Sequence, residues 1–333
     1  MTYKSIIATR RGGPEVLQVS ENELRAPTAG EARVRVLAVG VGRTDINYRY
    51  GYSPFSPKIP FTPGYEIVGV VDAVGEGVTS VKVGDRVAAL TGYGGYSEMV
   101  YLKQEHLVLV PPTLAPAEVA TLVLNYVSAY QMLHRLAKVK AGDKVLLIGA
   151  SGGVGTALLQ LGKLAGLKMY ATASPGKFAV LTAMGATLID YRSQDFVAVI
   201  HQQEPGGLDF IFDGMGGENS TRGLAALRRG GKLVGYSAPV GLGALLQGAL
   251  KMIWINLQPN GKKVESYGIT ALYMRDKKPF MEDLPLLFKL LAEGKIKPVI
   301  TTLLPLLEAR KANELLESGQ VTGNIVLLAP ELL

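Results

Sequence analysis

Apolar residues follow two different periods along the chain, and the change falls near residue 142. Over the first 110 residues, short stretches alternate apolar and polar positions, as in "ARVRVLAVGVG" (32–42) and "EIVGVVDAVGEGV" (66–78), with glycine turns between them. Alternation of this kind predicts strands. From residue 142 onward, apolar runs alternate with segments of helical spacing. This second pattern predicts a parallel sheet covered by helices.

The second region contains five predicted strands, each followed by a turn and most by a helix. They are "KVLLIGA", "LKMYATAS", "TLID", "LDFIFDGMGG" and "GKLVGYS". Near residue 264 this rhythm stops, and the chain ends with an amphipathic helix, "LPLLFKLLAEGKI", and strand-like "GNIVLLAP". The simplest fold is α/β: a β-rich domain of residues 1–125 and 266–333, with a doubly wound domain of residues 126–265 inserted into it. A length of 333 residues suits two domains.

Composition narrows the class of protein. No apolar run approaches the roughly 20 residues that span a bilayer, and the start lacks a signal-peptide core, so we expect a cytoplasmic protein. There is no cysteine, and the three histidines lack metal-ligand spacing, so no metal site is expected. The net charge of +7 comes from scattered residues, which favours a solubilising surface and gives no reason to expect nucleic acid as a partner.

A glycine-rich turn, "GASGGVG", joins the first strand of the second region to its helix. Gly152 allows the backbone to approach a pyrophosphate, and Gly155 allows the helix to pack closely on the strand. The helix N-terminus, which includes Gly153 and Val154, offers free N–H groups and a positive dipole. The strand before and the helix after make dinucleotide binding the preferred interpretation over a structural turn.

The end of the second strand bears on the choice of cofactor. A site for NAD carries Asp or Glu there, whereas this chain has "ATASPGK" with Ser174 and Lys177, which suit a 2′-phosphate. Ser174 before Pro175 is also a good helix N-cap, and both roles are compatible. Tyr191, after the third strand, either flanks the adenosine or packs at the strand end. The sequence thus favours NADPH over NADH.

Nine motifs resemble the medium-chain dehydrogenase/reductase superfamily in the same order along the chain. They are "GDRVAAL", "GGYSEMVYL", "LNYVSAYQML", "GASGGVG", "ATASPGKF", "IDYRSQDF", "FDGMGG", "GGKLVGYS" and "GNIVLL". The chain looks most like the zinc-free quinone oxidoreductase branch, especially members similar to the vesicle amine transport protein. This resemblance implies a GroES-like catalytic domain with an inserted Rossmann domain, a cleft between them, NADPH as cofactor, and commonly a homodimer.

The resemblance also implies cofactor contacts beyond the glycine turn. Ser128 would lie at the cleft wall, Tyr236 and Ser237 on the nicotinamide side, and Asn324 would approach from the last strand. Gly214 and Gly216 would let the cofactor pass closely, and a plain turn is an equal alternative for both; for Asn324 the plain turn is the less favoured alternative.

Zinc enzymes of the superfamily bind their metal through a Cys before "TD" and a His-Glu pair after Pro-Gly. Here these positions hold Gly42 and Tyr65, and Glu66 remains as the acid. Without a Lewis acid, hydride transfer suits acceptors that spread the developing charge themselves, namely quinones and α,β-unsaturated carbonyls. The predicted reaction is therefore reduction of a quinone or enone.

Candidate catalytic side chains lie in three places. Thr44 and Tyr65 are possible donors to a substrate oxygen, and Asn125 either binds that oxygen or caps a helix. The tyrosines of "NYRYGYSP" are possible pocket residues, with packing as the alternative for each: Tyr48, Tyr50 and Tyr52. Asp45 and Arg49 are interpreted as an ion pair. The Asn-Phe pair that many quinone reductases carry in this turn is missing, which supports an alternative, an NADPH-binding protein of sensory, structural or membrane-associated role.

The tract 241–263 is apolar and contains Trp254, the single tryptophan. We interpret it first as a helix that lines the cleft or a dimer contact. Contact with a membrane surface through Lys251, Lys262 and Lys263 is a further possibility.

Overall fold

The computed structural model describes residues 1–237 and 241–333, apart from the side chain of Leu242. The chain forms two compact units. Unit 1 comprises Met1–Val127 and Asp276–Leu333, and unit 2 comprises Ser128–Arg275. The sequence places these boundaries at 125/126 and 265/266, so residues 266–275 lie in unit 2 and not with the C-terminal segment.

The strands of the described residues are listed here in chain order: β1 (Thr2–Ala8), β2 (Leu17–Glu23), β3 (Glu31–Val41), β4 (Glu66–Val74), β5 (Arg86–Leu90), β6 (Met99–Lys103), β7 (Val108–Leu109), β8 (Lys144–Ile148), β9 (Lys168–Ala173), β10 (Ala186–Asp190), β11 (Leu208–Asp213), β12 (Leu227–Gly235), β13 (Lys263–Ser266), β14 (Ile300–Pro305) and β15 (Asn324–Leu328).

The helices are α1 (Arg43–Tyr50), α2 (Pro116–Thr121), α3 (Val127–Tyr130), α4 (Gly153–Leu164), α5 (Phe178–Thr182), α6 (Phe196–Gln203), α7 (Glu218–Ala226), α8 (Leu242–Asn256), α9 (Ile269–Arg275), α10 (Lys278–Ala292) and α11 (Ala309–Glu317). Wider, π-helical turns at Leu122–Tyr126 and Gln131–Ala137 flank α3 and continue the helix that α2 begins. Short 3₁₀ turns lie at Pro14–Val16, Gln104–His106, Pro175–Lys177, Leu306–Glu308 and Pro330–Leu332.

Unit 1 is built on a mostly antiparallel sheet in the order β14-β15-β3-β4-β5-β7, with β6 also paired to β3. The predicted alternation holds in β3, whose side chains alternate between buried and half-buried from Ala32 to Val36. Val34, Val36, Val68 and Val71 are almost fully buried. The first two strands, β1 and β2, form a separate antiparallel pair.

Unit 2 contains a parallel sheet in the order β10-β9-β8-β11-β12-β13. From β8 the chain moves outward through β9 to β10, then returns to the other side of β8 with β11. Helices α6 and α7 share a core cluster with the strands: Leu146, Ile148, Tyr170, Ile189, Phe196, Ile200, Leu208, Ile211, Ala226, Leu227 and Leu233. This architecture confirms the predicted α/β fold with a doubly wound parallel sheet.

Two features of unit 2 differ from the sequence prediction. The five predicted strands are all present, but β13 adds a sixth, parallel to β12, because "KVES" is too short and too charged to stand out as a strand. The segment after Ser174, where the sequence allows a helix N-cap, also begins differently: Pro175–Lys177 form a 3₁₀ turn, and α5 follows only from Phe178 to Thr182.

Within the described parts of the chain, no helix has the length and apolar character needed to cross a bilayer.

Glu204 joins the end of α6 to the start of two strands. Its buried carboxylate accepts hydrogen bonds from Lys144 at 2.5 Å, Lys168 at 2.6 Å and the Tyr170 hydroxyl at 2.7 Å. Burial alone raises the pKa of Glu204, but the hydrogen bonds from Lys144, Lys168 and Tyr170 outweigh it and bring the pKa down to about 2. The charged form of Glu204 therefore stabilises unit 2.

We predict that Glu204→Gln lowers the free energy of unfolding at neutral pH by about 1–3 kcal/mol, because it leaves two ammonium groups without their carboxylate. A lowered pKa means that the stabilisation is present above the unfolded-state pKa of about 4.3 and fades as the pH falls toward 2. Urea unfolding at several pH values should show the two proteins converging in acid. A constant difference across that range contradicts the assignment.

Candidate active-site residues in the two units

The glycine turn of unit 2 lies between β8 and α4. Gly149 has a positive φ of 83°, Ala150 is buried, and Gly152 is the extended N-cap residue of α4. Gly153 and Val154 form the first turn of α4, so their backbone N–H groups belong to the free donors of the helix N-terminus. This geometry provides several N–H donors for an anion.

Two glycines of this turn have opposite surroundings. A Cβ on Gly155 would lie 2.5 Å from the carbonyl carbon and oxygen of Ala150, so α4 approaches β8 only because residue 155 has no side chain. A Cβ on Gly152 would meet nothing within 4 Å. Gly152 therefore borders open space, where a ligand has room to approach the backbone. Gly155, in contrast, is required by the packing of α4 on β8.

The predicted 2′-phosphate residues meet at the carboxyl ends of β9 and β10. Lys177 donates to the Ser151 hydroxyl at 3.3 Å, and burial lowers the pKa of Lys177. Tyr191 acts on that pKa in the opposite sense, and the charge of Arg192 lowers it further, so both side chains lie near the Lys177 ammonium. The Ser174 hydroxyl makes no cap hydrogen bond to the turn that it precedes. A serine, a lysine and an arginine thus surround one small region.

Ser151 and Arg192 are residues of this region that the sequence interpretation missed. Arg192 directly follows Tyr191, and its guanidinium carbon lies 5.9 Å from the centre of the Tyr191 ring. The position of Arg192 in the sequence could have identified it. A basic residue that follows the next strand of a parallel sheet lies at the same edge as Lys177.

Residues after β11 and β12 form the other side of the same sheet edge. A Cβ on Gly214 would lie 2.6 Å from the Tyr236 hydroxyl, and one on Gly216 would lie 2.9 Å from the Ser237 hydroxyl. Buried Asp213 accepts hydrogen bonds from the N–H groups of residues 215 and 216 and fixes this turn. Burial raises the pKa of Tyr236, and the charge of Asp213 adds to the effect, so its hydroxyl stays protonated. The structure thus brings Gly214, Tyr236 and Ser237 together.

This edge fits a phosphorylated dinucleotide. Gly152 leaves space at a helix N-terminus, and Lys177 and Arg192 place positive charge at the ends of the neighbouring strands. It lies where the strand order reverses between β8 and β11, which is where ligands bind in open parallel sheets. Ser128, also assigned to the cofactor, is buried in α3 of the same unit.

In unit 1, Asp45 links the two turns that the sequence singled out. Its carboxylate accepts the Gly42 N–H and the Gly64 N–H, each at 2.9 Å. Asp45 is the third residue of α1, so the bond to Gly42 caps that helix. Gly64 has a φ of 101°, and a Cβ there would lie 2.4 Å from the Tyr96 nitrogen. One buried carboxylate therefore holds both turns in place.

Glu66 forms a second buried carboxyl group beside Asp45. One Glu66 oxygen occupies the space that a Cβ on Gly40 would need, and the other has no hydrogen-bond partner among the described residues. Burial raises the pKa of Asp45 to about 6. Burial, and then the charge of Asp45, raise the pKa of Glu66 well above its usual range. Burial thus disfavours the charged form of Glu66 in the interior of unit 1.

The expected ion pair between Asp45 and Arg49 is wrong. Asp45 bonds to backbone N–H groups, while fully buried Arg49 bonds to Glu317 and to the Gly12 carbonyl oxygen. The physical reason is that Asp45 at the start of α1 points back to its N-cap, away from the residue one turn later.

The candidate tyrosines differ in accessibility. Tyr65 is 0% exposed and Tyr48 is 3% exposed, and their ring centres lie 5.8 Å apart. Tyr50 and Tyr52 stack on one another at 5.0 Å, and Tyr52 is exposed. Tyr65 therefore packs in the interior of unit 1, and Tyr50 and Tyr52 are the more accessible aromatic surface.

Thr44, Asn125 and Asn324 complete the unit 1 candidates. Thr44 is the second residue of α1 and is half-buried. The Asn125 amide donates to the Asn324 side-chain oxygen at 2.7 Å, and Asn324 donates to the Val299 carbonyl at 2.8 Å. The two asparagines thus bind each other, and neither is shown bonding to another polar side chain of the candidate set.

In the part of the chain that the structure describes, no group of three or more His, Cys, Asp or Glu side chains is arranged to hold a metal ion. At the two positions where zinc relatives place ligands, the chain has Gly42 and Tyr65.

Family models match both units. Residues 28–112 match the alcohol dehydrogenase GroES-like domain, and residues 184–327 match the zinc-binding dehydrogenase family. These matches, with the parallel sheet and its glycine turn, define a class: dehydrogenases and reductases with a GroES-like domain and a Rossmann-like domain.

Curated relatives narrow the class. The quinone oxidoreductase of Sus scrofa is 32% identical over 323 residues, which cover 95% of each chain. The synaptic vesicle membrane protein VAT-1 homolog of Danio rerio is 37% identical over 240 residues, which cover 71% of this chain and 50% of that relative. The chain thus spans about half the length of this VAT-1 relative.

A solved structure of Escherichia coli quinone oxidoreductase complexed with NADPH has a TM-score of 0.86, with 28% identity over 98% of this chain and 99% of that one. The chain belongs to the medium-chain dehydrogenase/reductase superfamily, in the branch of the quinone oxidoreductases and VAT-1 homologues. The predicted resemblance and the predicted fold class are both confirmed.

We predict opposite results for alanine at the two glycines of the turn. Gly155→Ala should destabilise the protein by about 1–3 kcal/mol, because its Cβ overlaps the Ala150 backbone. Gly152→Ala, the matched control, should keep the stability and weaken dinucleotide binding, because its Cβ points into the ligand space. Thermal unfolding and cofactor titration measure the two effects. Equal stability of both variants contradicts the packing argument.

Proposed function

We propose that the protein is an NADPH-dependent oxidoreductase that reduces a quinone or an α,β-unsaturated carbonyl. The observation that carries the proposal is the cationic region of Ser151, Lys177 and Arg192 beside the glycine turn of unit 2. The family supports an oxidoreductase, and a relative of known structure is complexed with NADPH. A homodimer and a cytoplasmic location belong to the proposal as well.

The residues of unit 2 hold and select the cofactor in this proposal. The α4 N-terminus binds the pyrophosphate through backbone N–H groups, and Gly152 allows that approach. Lys177 and Arg192 bind the 2′-phosphate, because guanidinium and ammonium groups form strong charge-assisted hydrogen bonds to phosphate. When bound, NADPH supplies the hydride.

Unit 1 supplies the hydrogen bond to the acceptor. The oxygen of a quinone or enone gains negative charge during reduction, and a donor aimed at that oxygen lowers the barrier. Thr44 is half-buried, whereas Tyr65 is enclosed, so Thr44 is the better placed of the two donors. Gly42 and Tyr65 replace the metal ligands of zinc relatives, so acceptors that delocalise charge suit this site best.

A second candidate is an NADPH-binding protein of sensory, structural or membrane-associated role with little turnover. Two observations favour it: Tyr65 is fully buried, and the amides of Asn125 and Asn324 are bonded to each other. Both reduce the number of polar groups left for an acceptor.

The choice of cofactor has a direct test. Lys177→Ala and Arg192→Ala should each weaken NADPH binding by about tenfold or more, since a hydrogen bond to a charged group is worth about 1.5–3 kcal/mol. NADH binding should change little, because NADH lacks the 2′-phosphate. Titration calorimetry measures both, and Lys163→Ala on the outside of α4 is the control. Equal losses for the two cofactors contradict the assignment.

Turnover has its own test. NADPH oxidation by 1,2-naphthoquinone, 9,10-phenanthrenequinone or a simple enone should be measurable and insensitive to chelators. Thr44→Val should lower kcat by about 10²-fold and Thr44→Ser should restore it, because an oxyanion donor is worth about that much. Tyr65→Phe should have a small effect if its ring only packs. Tight NADPH binding without turnover of any acceptor favours the second candidate.

A further inference from the structure

The segment that follows β10 forms a tight turn around one carboxylate. Asp190 is the last residue of β10. One oxygen of its carboxylate accepts the backbone N–H of Arg192 at 3.0 Å, and the other accepts the Ser193 hydroxyl at 2.6 Å. We call residues 190–194 the β10 turn; it contains both Tyr191 and Arg192.

The backbone of Asp190 closes the same turn. Its carbonyl oxygen accepts the N–H groups of Ser193 at 3.2 Å and of Gln194 at 2.9 Å. The Gln194 side-chain oxygen in turn accepts the Asp190 N–H at 3.0 Å. Asp190 thus bonds to every residue of the β10 turn that follows Tyr191.

The far end of the β10 turn is fixed by a second acid. Asp195 is the N-cap residue of α6, and its carboxylate accepts the N–H of Val197 at 3.0 Å. The Arg222 guanidinium of α7 donates to the same Asp195 oxygen at 2.7 Å. The backbone of the β10 turn is therefore restrained at both ends, by a strand on one side and by a capped helix on the other.

The β10 turn lies near the ammonium group of Lys177. The pKa of Lys177 is lowered by burial and by the charge of Arg192, while Tyr191 acts in the opposite sense, so both side chains are close to that ammonium. Two like charges that approach one another repel. An arrangement that keeps Arg192 near Lys177 therefore needs a restraint that does not depend on a ligand.

Asp190 provides this restraint through the backbone. Its carboxylate bonds to the Arg192 N–H, so the bond does not occupy a donor of the guanidinium. The hydrogen bonds from the Ser193 hydroxyl and the Arg192 N–H lower the pKa of Asp190, and the charge of Arg192 adds to this effect. The carboxylate is therefore charged at neutral pH, with both oxygens bonded inside the turn.

The position of Asp190 argues against direct binding of ribose hydroxyls. Acids that bind the ribose of NAD follow the second strand of such a sheet. In this chain that strand is β9, which Ser174 follows, whereas Asp190 ends the third strand. Asp190 is thus placed to shape the segment that carries Arg192.

We propose that Asp190 is a positioning residue for the choice of cofactor: it pre-organises the β10 turn so that Arg192 and Lys177 receive a 2′-phosphate together. This inference rests on the proposed NADPH-dependent function and adds to it a residue that acts through Arg192. The gain is entropic, because a backbone that is already ordered does not have to be ordered on binding. NADH has no 2′-phosphate, so the gain applies to NADPH.

Fragments of the cofactor isolate the adenosine end for a test. Adenosine 2′,5′-bisphosphate carries the 2′-phosphate and adenosine 5′-monophosphate does not, and titration calorimetry measures the binding of each to the full-length protein. We expect Asp190→Ala to weaken binding of the bisphosphate by about five- to tenfold, because the order of roughly one backbone residue is lost. Binding of the monophosphate should change little.

Asp190→Asn separates position from charge. The carboxamide oxygen can still accept the Arg192 N–H, and the amide group can donate to the Ser193 hydroxyl, so the turn keeps its shape without the negative charge. This variant should bind the bisphosphate at least as tightly as the wild type does. Asp143→Ala is the matched control, since Asp143 accepts the Lys140 N–H at 2.7 Å in a turn at the opposite edge of the sheet.

Trypsin measures the order of the β10 turn directly, because it cleaves after Arg192. The wild type and Asp143→Ala should be cleaved slowly at this bond, and Asp190→Ala severalfold faster, since a less ordered segment opens more often. Mass spectrometry of the fragments identifies this cleavage. Circular dichroism and thermal unfolding verify that each variant is folded.

The outcomes separate this inference from the proposed function. A wild-type protein that binds the bisphosphate no more tightly than the monophosphate contradicts the choice of NADPH, and the role of Asp190 fails with it. A wild type that prefers the bisphosphate, with an unchanged preference in Asp190→Ala, overturns the role of Asp190 alone. Two further results also overturn it: an equal gain of affinity in Asp190→Ala and Asp190→Asn, which indicates charge repulsion, and an equal loss for both ligands, which indicates general destabilisation.

Discussion

The parallel pairing of β8 with β9 on one side and with β11 on the other determines where chemistry is possible in unit 2. Because the chain leaves β8 in one direction and returns on the other side, the connections diverge at the carboxyl edge, which is where open parallel sheets bind ligands. Every strand ends at this edge, so the segments after β8, β9, β10, β11 and β12 each contribute residues to it. The glycine turn is usable only because Gly155 lets α4 lie against β8. The backbone therefore determines where this edge is open, and the side chains of Lys177, Arg192 and Tyr236 lie along the same edge.

Unit 1 depends on a different kind of constraint, the burial of polar groups. Asp45 accepts hydrogen bonds from two backbone N–H groups of separate turns, so the turn before α1 and the Pro-Gly turn are fixed relative to one another. This arrangement removes a carboxylate from water, and the burial raises the pKa of Asp45. Beside this carboxylate, the rings of Tyr65 and Tyr48 pack against one another in the interior of unit 1.

Most of the fold was predictable because it follows from periodicity and glycine spacing. The five predicted strands of unit 2 and the glycine turn are encoded by short local patterns in the sequence. Both are present in the structure as predicted. β13 escaped prediction because four residues with two charges give too little periodicity. Ser151 and Arg192 escaped because they join the site through contacts between elements distant in sequence. The Asp45–Arg49 pair failed for a related reason: Arg49 bonds to Glu317, which is 268 residues away. The exposure of α8 could not be predicted from the sequence either, because the apolar residues of this helix favour a buried position.

The contact between Glu66 and Gly40 also bears on how this branch of the superfamily diversifies. The Glu66 oxygen lies where any side chain at position 40 would begin, so the two positions share one volume although β3 and β4 place them on different strands. A lineage that gains even a methyl group at position 40 must shorten or turn away the residue at position 66. The two positions should therefore change together among related sequences, and glycine at 40 should accompany an acid at 66 whether or not the preceding residue is a metal ligand.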